Sequence, residues 1–240
     1  MIGARILIKR NGRDEAEKPF WISFADLMTA LMVLFLLVMS VALLAVTRTV
    51  NEAEVRKLAR DRDIAQLLDR IRRATDKFPG VSVNMARSAI DFGDRARFDT
   101  NSSRLSTEQA RLLRAYIPEV LAIARDDLGR KWFKRVIVEG FADERGTYLL
   151  NLDLSLRRSE RLLCVLFAKP TSDERAMTND ELEQIRNLFL VGGYSFNSAK
   201  ASYEESRRIE LRLEFWDEPS TDPESKRTAG NIGTCALESQ

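Results

Sequence analysis

FWISFADLMTALMVLFLLVMSVALLAV, residues 20–46, is an apolar run of 27 residues with a single charged side chain, Asp26. As a helix it would span roughly 40 Å at about 1.5 Å per residue, which exceeds the ~30 Å hydrocarbon core of a bilayer. The stretch therefore predicts a transmembrane helix. Residues 1–19 precede this helix, and residues 47–240 follow it.

Asp26 lies about two helical turns inside the first end of this run. A carboxylate at membrane depth is costly, so such residues usually face other protein or a water-filled path and carry ions or protons. At about 100° per residue, Ser23, Thr29 and Ser40 project within about 60° of Asp26 and are candidates for lining an ion path. This stripe predicts packing against partner helices. The alternative is that Asp26 snorkels to the interface, although its side chain is short.

The short N-terminal segment predicts the topology. Up to Lys18 it carries five Lys or Arg residues against three acidic ones, which places residues 1–19 in the cytoplasm as a tail. The apolar run is too long for a signal-peptide core and lacks a clear small-residue cleavage site. We therefore expect an uncleaved single-pass anchor, with everything after residue 46 outside the cytoplasm.

Composition excludes several function classes. The 240 residues have a formal charge of +2 and contain no histidine, which removes Ser-His-Asp and Cys-His catalysis and histidine metal sites. Neither a GxxxxGK[ST] loop nor a GxGxxG motif is present. The nearly balanced charge gives no reason to expect nucleic acid as a partner. The prediction is a non-enzyme without metal or cofactor, apart from a translocated ion.

Residues 47–79 are highly charged and lack Gly and Pro until Pro79, which predicts a helical linker that continues the membrane helix. Two arrangements of this linker are open: a short parallel coiled coil between two copies, or one helix lying on the following domain. The apolar positions behind the first arrangement follow a 4-3-4-3 spacing and are Ile64, Leu68, Ile71, Thr75 and Phe78.

Residues 80–216 predict one α/β sandwich, with helices packed on a mixed sheet. Ser106 followed by Gln109 is typical of a capping box at a helix start. The predicted strands are 81–84, 88–92, 135–140, 188–192 and 208–215, and the predicted helices run from 106 to about 127 and over 149–168. Residues 169–188 have no assigned role.

Residues 217–240 have the composition of a disordered tail. They contain Cys235, and the other cysteine, Cys164, lies on the apolar face of the second predicted helix. An oxidising periplasm would permit a disulfide that pins the tail to the domain. Alternatively, Cys164 is a small buried apolar residue.

PFWISFADLMTALMVLFLLVM resembles the transmembrane helix of the B subunits of ion-driven stator units, with flagellar MotB closest and TolR and ExbD more distant. The resemblance implies that Asp26 is the ion carrier, and that the helix anchors the chain in a bacterial inner membrane with everything after residue 46 in the periplasm. It also implies a dimer of this chain inside a ring of multi-pass MotA-like or ZorA-like channel subunits, expected to be a pentamer. The helix looks most like the proton-type units, and sodium is the alternative.

VEGFADERGTYLLNLDLSLRRSERL resembles the peptidoglycan-binding OmpA-like domain, over roughly residues 80–216. The resemblance implies that Asp143 and Arg158 grip the diaminopimelate of the peptidoglycan stem, since a zwitterionic head needs an acid for its ammonium and a guanidinium for its carboxylate. Phe141, Ala142 and Ser206 depart from the family pattern. Further residues that match in register and form the implied peptidoglycan site are Gly146, Asn151 and Ser155.

The short basic tail, the membrane helix and the compact OmpA-like domain together look most like the B subunits of the Zorya anti-phage defence system. The implied fold class is α+β, with one transmembrane helix, a helical linker and an OmpA-like sandwich. The implied function is that of a proton-driven motor subunit anchored to peptidoglycan. A flagellar-type MotB subunit and a passive tether from membrane to cell wall are the alternatives, and Asp26 argues against the tether.

Overall fold

The computed structural model describes residues 18–170, 174–220 and 233–235, and the side chains of residues 21–170 and of the later ranges. The predicted N-terminal tail, apart from Lys18 and Pro19, and most of the predicted C-terminal tail therefore lie outside the described residues. The chain divides into two compact units, residues 1–58 and residues 59–240.

The first helix, α1, runs from Lys18 to Thr75 without interruption. Pro19 lies in its first turn, where proline is favoured because its missing N–H is not needed. Among the described residues, α1 is the one helix that is both long enough and apolar enough to cross a membrane. Its most apolar window has a mean hydropathy of 2.8. The helical continuation predicted for residues after 47 is confirmed.

The last four turns of α1 belong to the second unit and pack on it. Leu67 and Ile71 are fully buried there, and Leu68 is nearly so. Of the two arrangements that the sequence left open, the structure therefore favours the one in which this helix lies on the following domain. The residues with coiled-coil spacing are used for intramolecular packing instead.

Within the described residues, five strands form one mixed sheet in the order β1-β2-β5-β3-β4. Neighbouring strands are antiparallel except β3 and β4, which are parallel. The strands are β1 (Ser82–Asn84), β2 (Ala89–Asp91), β3 (Phe133–Gly140), β4 (Phe189–Gly193) and β5 (Ile209–Phe215). The predicted strands are confirmed to within one or two residues.

Helices cover one face of this sheet. The two long ones were predicted, and Ser106 and Gln109 form the expected capping box at the start of the first. The core between helices and sheet is aliphatic and aromatic, with Tyr116, Ile117 and Leu211 among its fully buried members. After α1 the helices are α2 (Thr107–Arg125), α3 (Asp127–Trp132), α4 (Tyr148–Phe167), α5 (Asn179–Leu188) and α6 (Tyr203–Ser206).

The opposite face of the sheet is charged. Alternate residues of β3 and β5 point away from the core and form ion pairs, such as Arg212 to Glu139 at 2.5 Å and Arg135 to Glu214 at 2.9 Å. Helices on one face and a polar opposite face make a two-layer α/β sandwich after an N-terminal membrane helix. The predicted α+β fold class is confirmed.

Candidate functional site

The membrane helix carries one acidic side chain, Asp26, on an exposed surface. The side-chain carboxylate of Asp26 has no hydrogen-bond or ion-pair partner among the residues that the structure describes. A carboxylate without a partner in hydrocarbon is costly, and its protonation removes most of that cost. Contacts from another chain, or a position of the carboxylate at the membrane interface, would also lower that cost.

The hydroxyl residues of the stripe bond to their own helix. Thr29 donates from Oγ1 to the carbonyl of Asp26 at 2.9 Å, and Ser40 donates from Oγ to the carbonyl of Leu36 at 2.7 Å. These bonds satisfy the hydroxyl protons and leave oxygen lone pairs at the helix surface. Ser23 lies one turn before Asp26 and is exposed. The structure places the four residues along one helix, and their role in an ion path remains a prediction.

The second predicted site lies between the end of β3 and the start of α4. Gly140 ends the strand, and a Cβ at this position would lie 1.9 Å from the carbonyl oxygen of Ser155. Glycine is therefore required for α4 to approach the sheet this closely. Gly146 has a φ of +98°, a left-handed conformation that favours glycine and turns the chain into the helix. Thr147 then caps α4 by accepting from the Leu150 N–H.

Asp143 lies in this loop and is almost fully buried. Its Oδ2 accepts from Arg145 at 2.6 Å and from Arg207 at 3.1 Å, and its Oδ1 accepts from the backbone N–H of Arg145 at 3.1 Å. Burial alone would raise the pKa of Asp143, but the hydrogen bonds from Arg145 and Arg207 outweigh it and lower the pKa below its usual value. Asp143 is therefore a carboxylate at neutral pH.

Arg158 on α4 is completely buried. Its guanidinium donates to three backbone carbonyls: Phe141 at 2.7 Å, Ser102 at 2.9 Å and Asp99 at 3.1 Å. Burial lowers the pKa of Arg158 to about 10, partly offset by the charge of Asp143, so the side chain stays protonated at neutral pH. In this conformation Arg158 ties the loop after β3 to the segment before α2.

Two further predicted site residues hold the loop in place. Asn151 donates from Nδ2 to the carbonyl of Arg145 at 2.9 Å. Ser155 accepts from the N–H of Ser195 at 3.0 Å and donates to the carbonyl of Leu152. Asp143, Gly146 and Asn151 thus lie around one loop. Arg158 contacts the start of this loop at the carbonyl of Phe141, and Ser155 contacts the N–H of Ser195 instead. Binding of peptidoglycan at this loop remains a prediction.

Sequence reasoning missed the arginines that bind Asp143. Arg145 follows Asp143 by two residues in the DERG stretch, and this short spacing could have predicted the contact. Arg207 comes from the turn between α6 and β5, where its Nε also donates to the carbonyl of Phe98 at 2.9 Å. Phe141, which replaces a polar family residue, is buried between the ring of Tyr194 and the guanidinium of Arg208.

A disulfide joins Cys164 in the last turns of α4 to Cys235, with a Cα–Cα distance of 5.5 Å. The bond ties a residue near the C-terminus to the domain. The structure thus adopts the paired alternative of the two that the sequence left open for Cys164.

Comparison with known proteins gives matches to both parts of the chain. The model of a family described as membrane MotB of the proton-channel complex MotA/MotB matches residues 8–60. The Zorya protein ZorB of Escherichia coli O139:H28 (strain E24377A / ETEC) is 44% identical over 217 residues, which cover 90% of this chain and 88% of that protein.

Solved structures resemble about half of the chain at low identity. The peptidoglycan-associated lipoprotein from Burkholderia pseudomallei has 14% identity and a TM-score of 0.32, covering 55% of this chain and 92% of that one. The periplasmic domain of Helicobacter pylori MotB has 12% identity and a TM-score of 0.34, covering 52% of this chain and 79% of that one.

The relationship to the Escherichia coli protein extends over nearly the whole of both chains, membrane helix and soluble domain together. It selects one of the families that the sequence left open. The chain belongs to the ZorB family of Zorya proteins.

Proposed function

We propose that the chain is the B subunit of a proton-driven membrane motor that serves anti-phage defence, with Asp26 carrying the ion and the soluble domain anchored to peptidoglycan. The observation that carries the proposal is the single carboxylate of the membrane helix, which is exposed and has no partner among the described residues. The family contains motor components rather than enzymes. In the proposal, the energy that drives the motor therefore comes from ion movement and not from a chemical reaction.

The proposed cycle depends on the charge of Asp26. Two copies of α1 lie side by side inside a ring of multi-pass ZorA-like subunits, proposed to be a pentamer, and each Asp26 faces that ring. Desolvation there favours the protonated acid, which has no charge to hold it against one partner surface. Proton release towards the cytoplasm restores the charge, and the alternation moves the ring stepwise. Ser23, Thr29 and Ser40 line the proton's route with hydroxyl oxygens.

A motor transmits force only if one part is held still. In the proposal the soluble domain lies in the periplasm and binds peptidoglycan through the loop between β3 and α4. Asp143 supplies the acid for the ligand's ammonium group, in a loop that Arg158, Asn151 and Gly146 fix in position. The disulfide between Cys164 and Cys235 supports this location, because such bonds persist in oxidising compartments.

The test is ion flux through the assembled complex. The chain is co-reconstituted into liposomes with the multi-pass subunit encoded beside it, and flux is measured with a pH-sensitive dye under imposed proton or sodium gradients. Asp26→Asn removes the titrating group with almost no change in shape. Asp61→Asn is the matched control, since it makes the same change on the same helix at an exposed position well beyond the apolar run.

We expect flux that follows the proton gradient in the wild type and in Asp61→Asn, and background flux in Asp26→Asn. Flux that follows only the sodium gradient would show that the carried ion is sodium and not the proton. Equal flux in wild type and Asp26→Asn would refute the ion-carrier role. An assembled complex that conducts no ion but still binds peptidoglycan would favour the passive tether.

A further inference from the structure

The side chain of Arg145 lies across the candidate peptidoglycan site. Its Nη2 is 2.6 Å from Oδ2 of Asp143 and 3.2 Å from Oγ1 of Thr100, and its guanidinium stacks 4.8 Å from the ring centre of Tyr203. Asp143, Thr100 and Tyr203 come from three separate segments of the domain. Arg145 therefore bridges these segments over the carboxylate.

The three arginines near Asp143 differ in exposure. The side chain of Arg145 is 47% exposed, whereas that of Arg207 is 11% exposed and Arg158 is completely buried. Arg207 and Arg158 are also held by backbone carbonyls, through Phe98 in the first case. Arg145 alone of the three can move into water without breaking a buried contact to the main chain.

Access to Asp143 depends on that movement. The carboxylate is only 7% exposed, and its Oδ2 is shared between Arg145 and Arg207. An incoming ammonium group can take the place of one guanidinium, and the half-exposed one leaves at lower cost. The main-chain contacts of residue 145 do not depend on its side chain, because they use its N–H and its carbonyl.

We propose that Arg145 is a built-in competitor for the ammonium group of the diamino acid in the peptidoglycan stem, so that it occupies Asp143 in the free domain and sets the affinity for the cell wall. This inference rests on the proposed peptidoglycan anchoring. The ligand exchanges one charge-assisted hydrogen bond at Asp143 for another, and the lost Arg145 contact subtracts from binding. Removal of the Arg145 side chain therefore raises affinity.

The experiment uses the full-length protein in detergent micelles and purified peptidoglycan sacculi that contain meso-diaminopimelate. Co-sedimentation gives the binding curve, and free meso-diaminopimelate serves as a competitor. Arg145→Gln is compared with Arg130→Gln, which removes the same charge from an exposed arginine paired with Asp127 on α3. Asp143→Asn and the double variant Asp143→Asn/Arg145→Gln report whether binding uses Asp143.

We expect Arg145→Gln to bind sacculi about 3- to 10-fold more tightly than wild type, with Arg130→Gln unchanged and both Asp143 variants weak. The competitor role would also be supported if Arg145→Gln binds sacculi, wild type does not, and the double variant loses the binding again. Equal or weaker binding by Arg145→Gln, with wild-type binding intact, would overturn the competitor and leave the anchoring in place. If neither wild type nor Arg145→Gln binds sacculi, both proposals are overturned.

Discussion

At the scale of single residues, Arg158 has two different interpretations. Its sequence register implies a ligand contact, whereas the folded chain uses its guanidinium to bind three carbonyls that belong to two loops. A buried hydrogen bond to a charged group contributes about 1.5–3 kcal/mol, and a carbonyl left unpaired costs its desolvation as well. Arg158 is therefore a main structural support of the site, whatever it contributes to the ligand.

Arg158→Met tests that support. Methionine keeps the apolar part of the side chain but removes every donor, so we expect the free energy of unfolding to fall by at least about 3 kcal/mol. The measurement is urea unfolding of the purified protein in mild detergent, followed by tryptophan fluorescence. Arg130→Met, at an exposed position paired with Asp127, should change stability by no more than about 0.5 kcal/mol.

Unchanged stability in Arg158→Met would show that the carbonyl contacts contribute little. Because we expect variants of Arg158 to lose stability, they can also lose function by unfolding. Weak cell-wall binding by a variant of Arg158 cannot be assigned to a missing ligand contact unless the variant is shown to be folded. Arg145 and Asp143 are the better positions for testing the ligand.

The positions of the site residues could be predicted from the sequence, but their partners could not. Asp143, Gly146 and Asn151 lie within nine residues, so a local pattern identifies them. The contacts that hold Asp143 and Arg158 come from residues distant in sequence: Arg207 donates to Asp143, and the carbonyls of Asp99 and Ser102 accept from Arg158. Local patterns carry no information on such contacts, and the burial of Arg158 was therefore missed.

At the scale of elements, helix starts were easier to predict than helix packing. The capping box of Ser106 and Gln109 is local, and it fixed the start of α2. The same signal occurs at Thr178 and Glu181, where it begins α5, inside the segment that had no assigned role. Whether the end of α1 meets a second copy or its own domain depends on distant surfaces, so both arrangements fitted the sequence.

The packing of α1 on α2 includes one buried polar contact, 2.8 Å between Oγ1 of Thr75 and the hydroxyl of Tyr116. Thr75 already donates its proton to the carbonyl of Ile71, so Tyr116 is the donor in this contact. Burial raises the pKa of Tyr116 to about 12. The Tyr116 ring also packs edge-on against Phe78 and Phe92.

Two substitutions at this contact should have unequal effects. Thr75→Val leaves the buried hydroxyl of Tyr116 without an acceptor, which costs about 1–3 kcal/mol. Tyr116→Phe removes the donor and leaves Thr75 bonded to Ile71, so we expect a smaller loss of about 0.5–1.5 kcal/mol. Both values are free energies of unfolding from urea titration, and Thr75→Ser, which keeps the hydroxyl, is the control. A larger loss in Tyr116→Phe than in Thr75→Val would contradict this donor assignment.

At the scale of the whole molecule, charge and covalent structure both favour the proposed orientation. The N-terminal segment is basic, which favours the cytoplasm for that end. The soluble domain contains the disulfide between Cys164 and Cys235, which favours an oxidising compartment for the other end. The two observations are independent, because one concerns residues before the membrane helix and the other a bond made after it.

This orientation predicts the redox state of the two cysteines in the cell. If the domain is periplasmic, both thiols are consumed in the disulfide. Cells are lysed in denaturant with a maleimide carrying a polyethylene glycol chain, which adds mass to every free thiol. We expect no shift on a gel without reductant and modification of both cysteines after reduction. Cys164→Ser leaves a single thiol at Cys235 and should be modified without reductant, which controls for access. A domain in the cytoplasm would be kept reduced by glutathione, so modification of both wild-type cysteines without reductant would contradict the orientation and, with it, the anchoring of the motor to the cell wall.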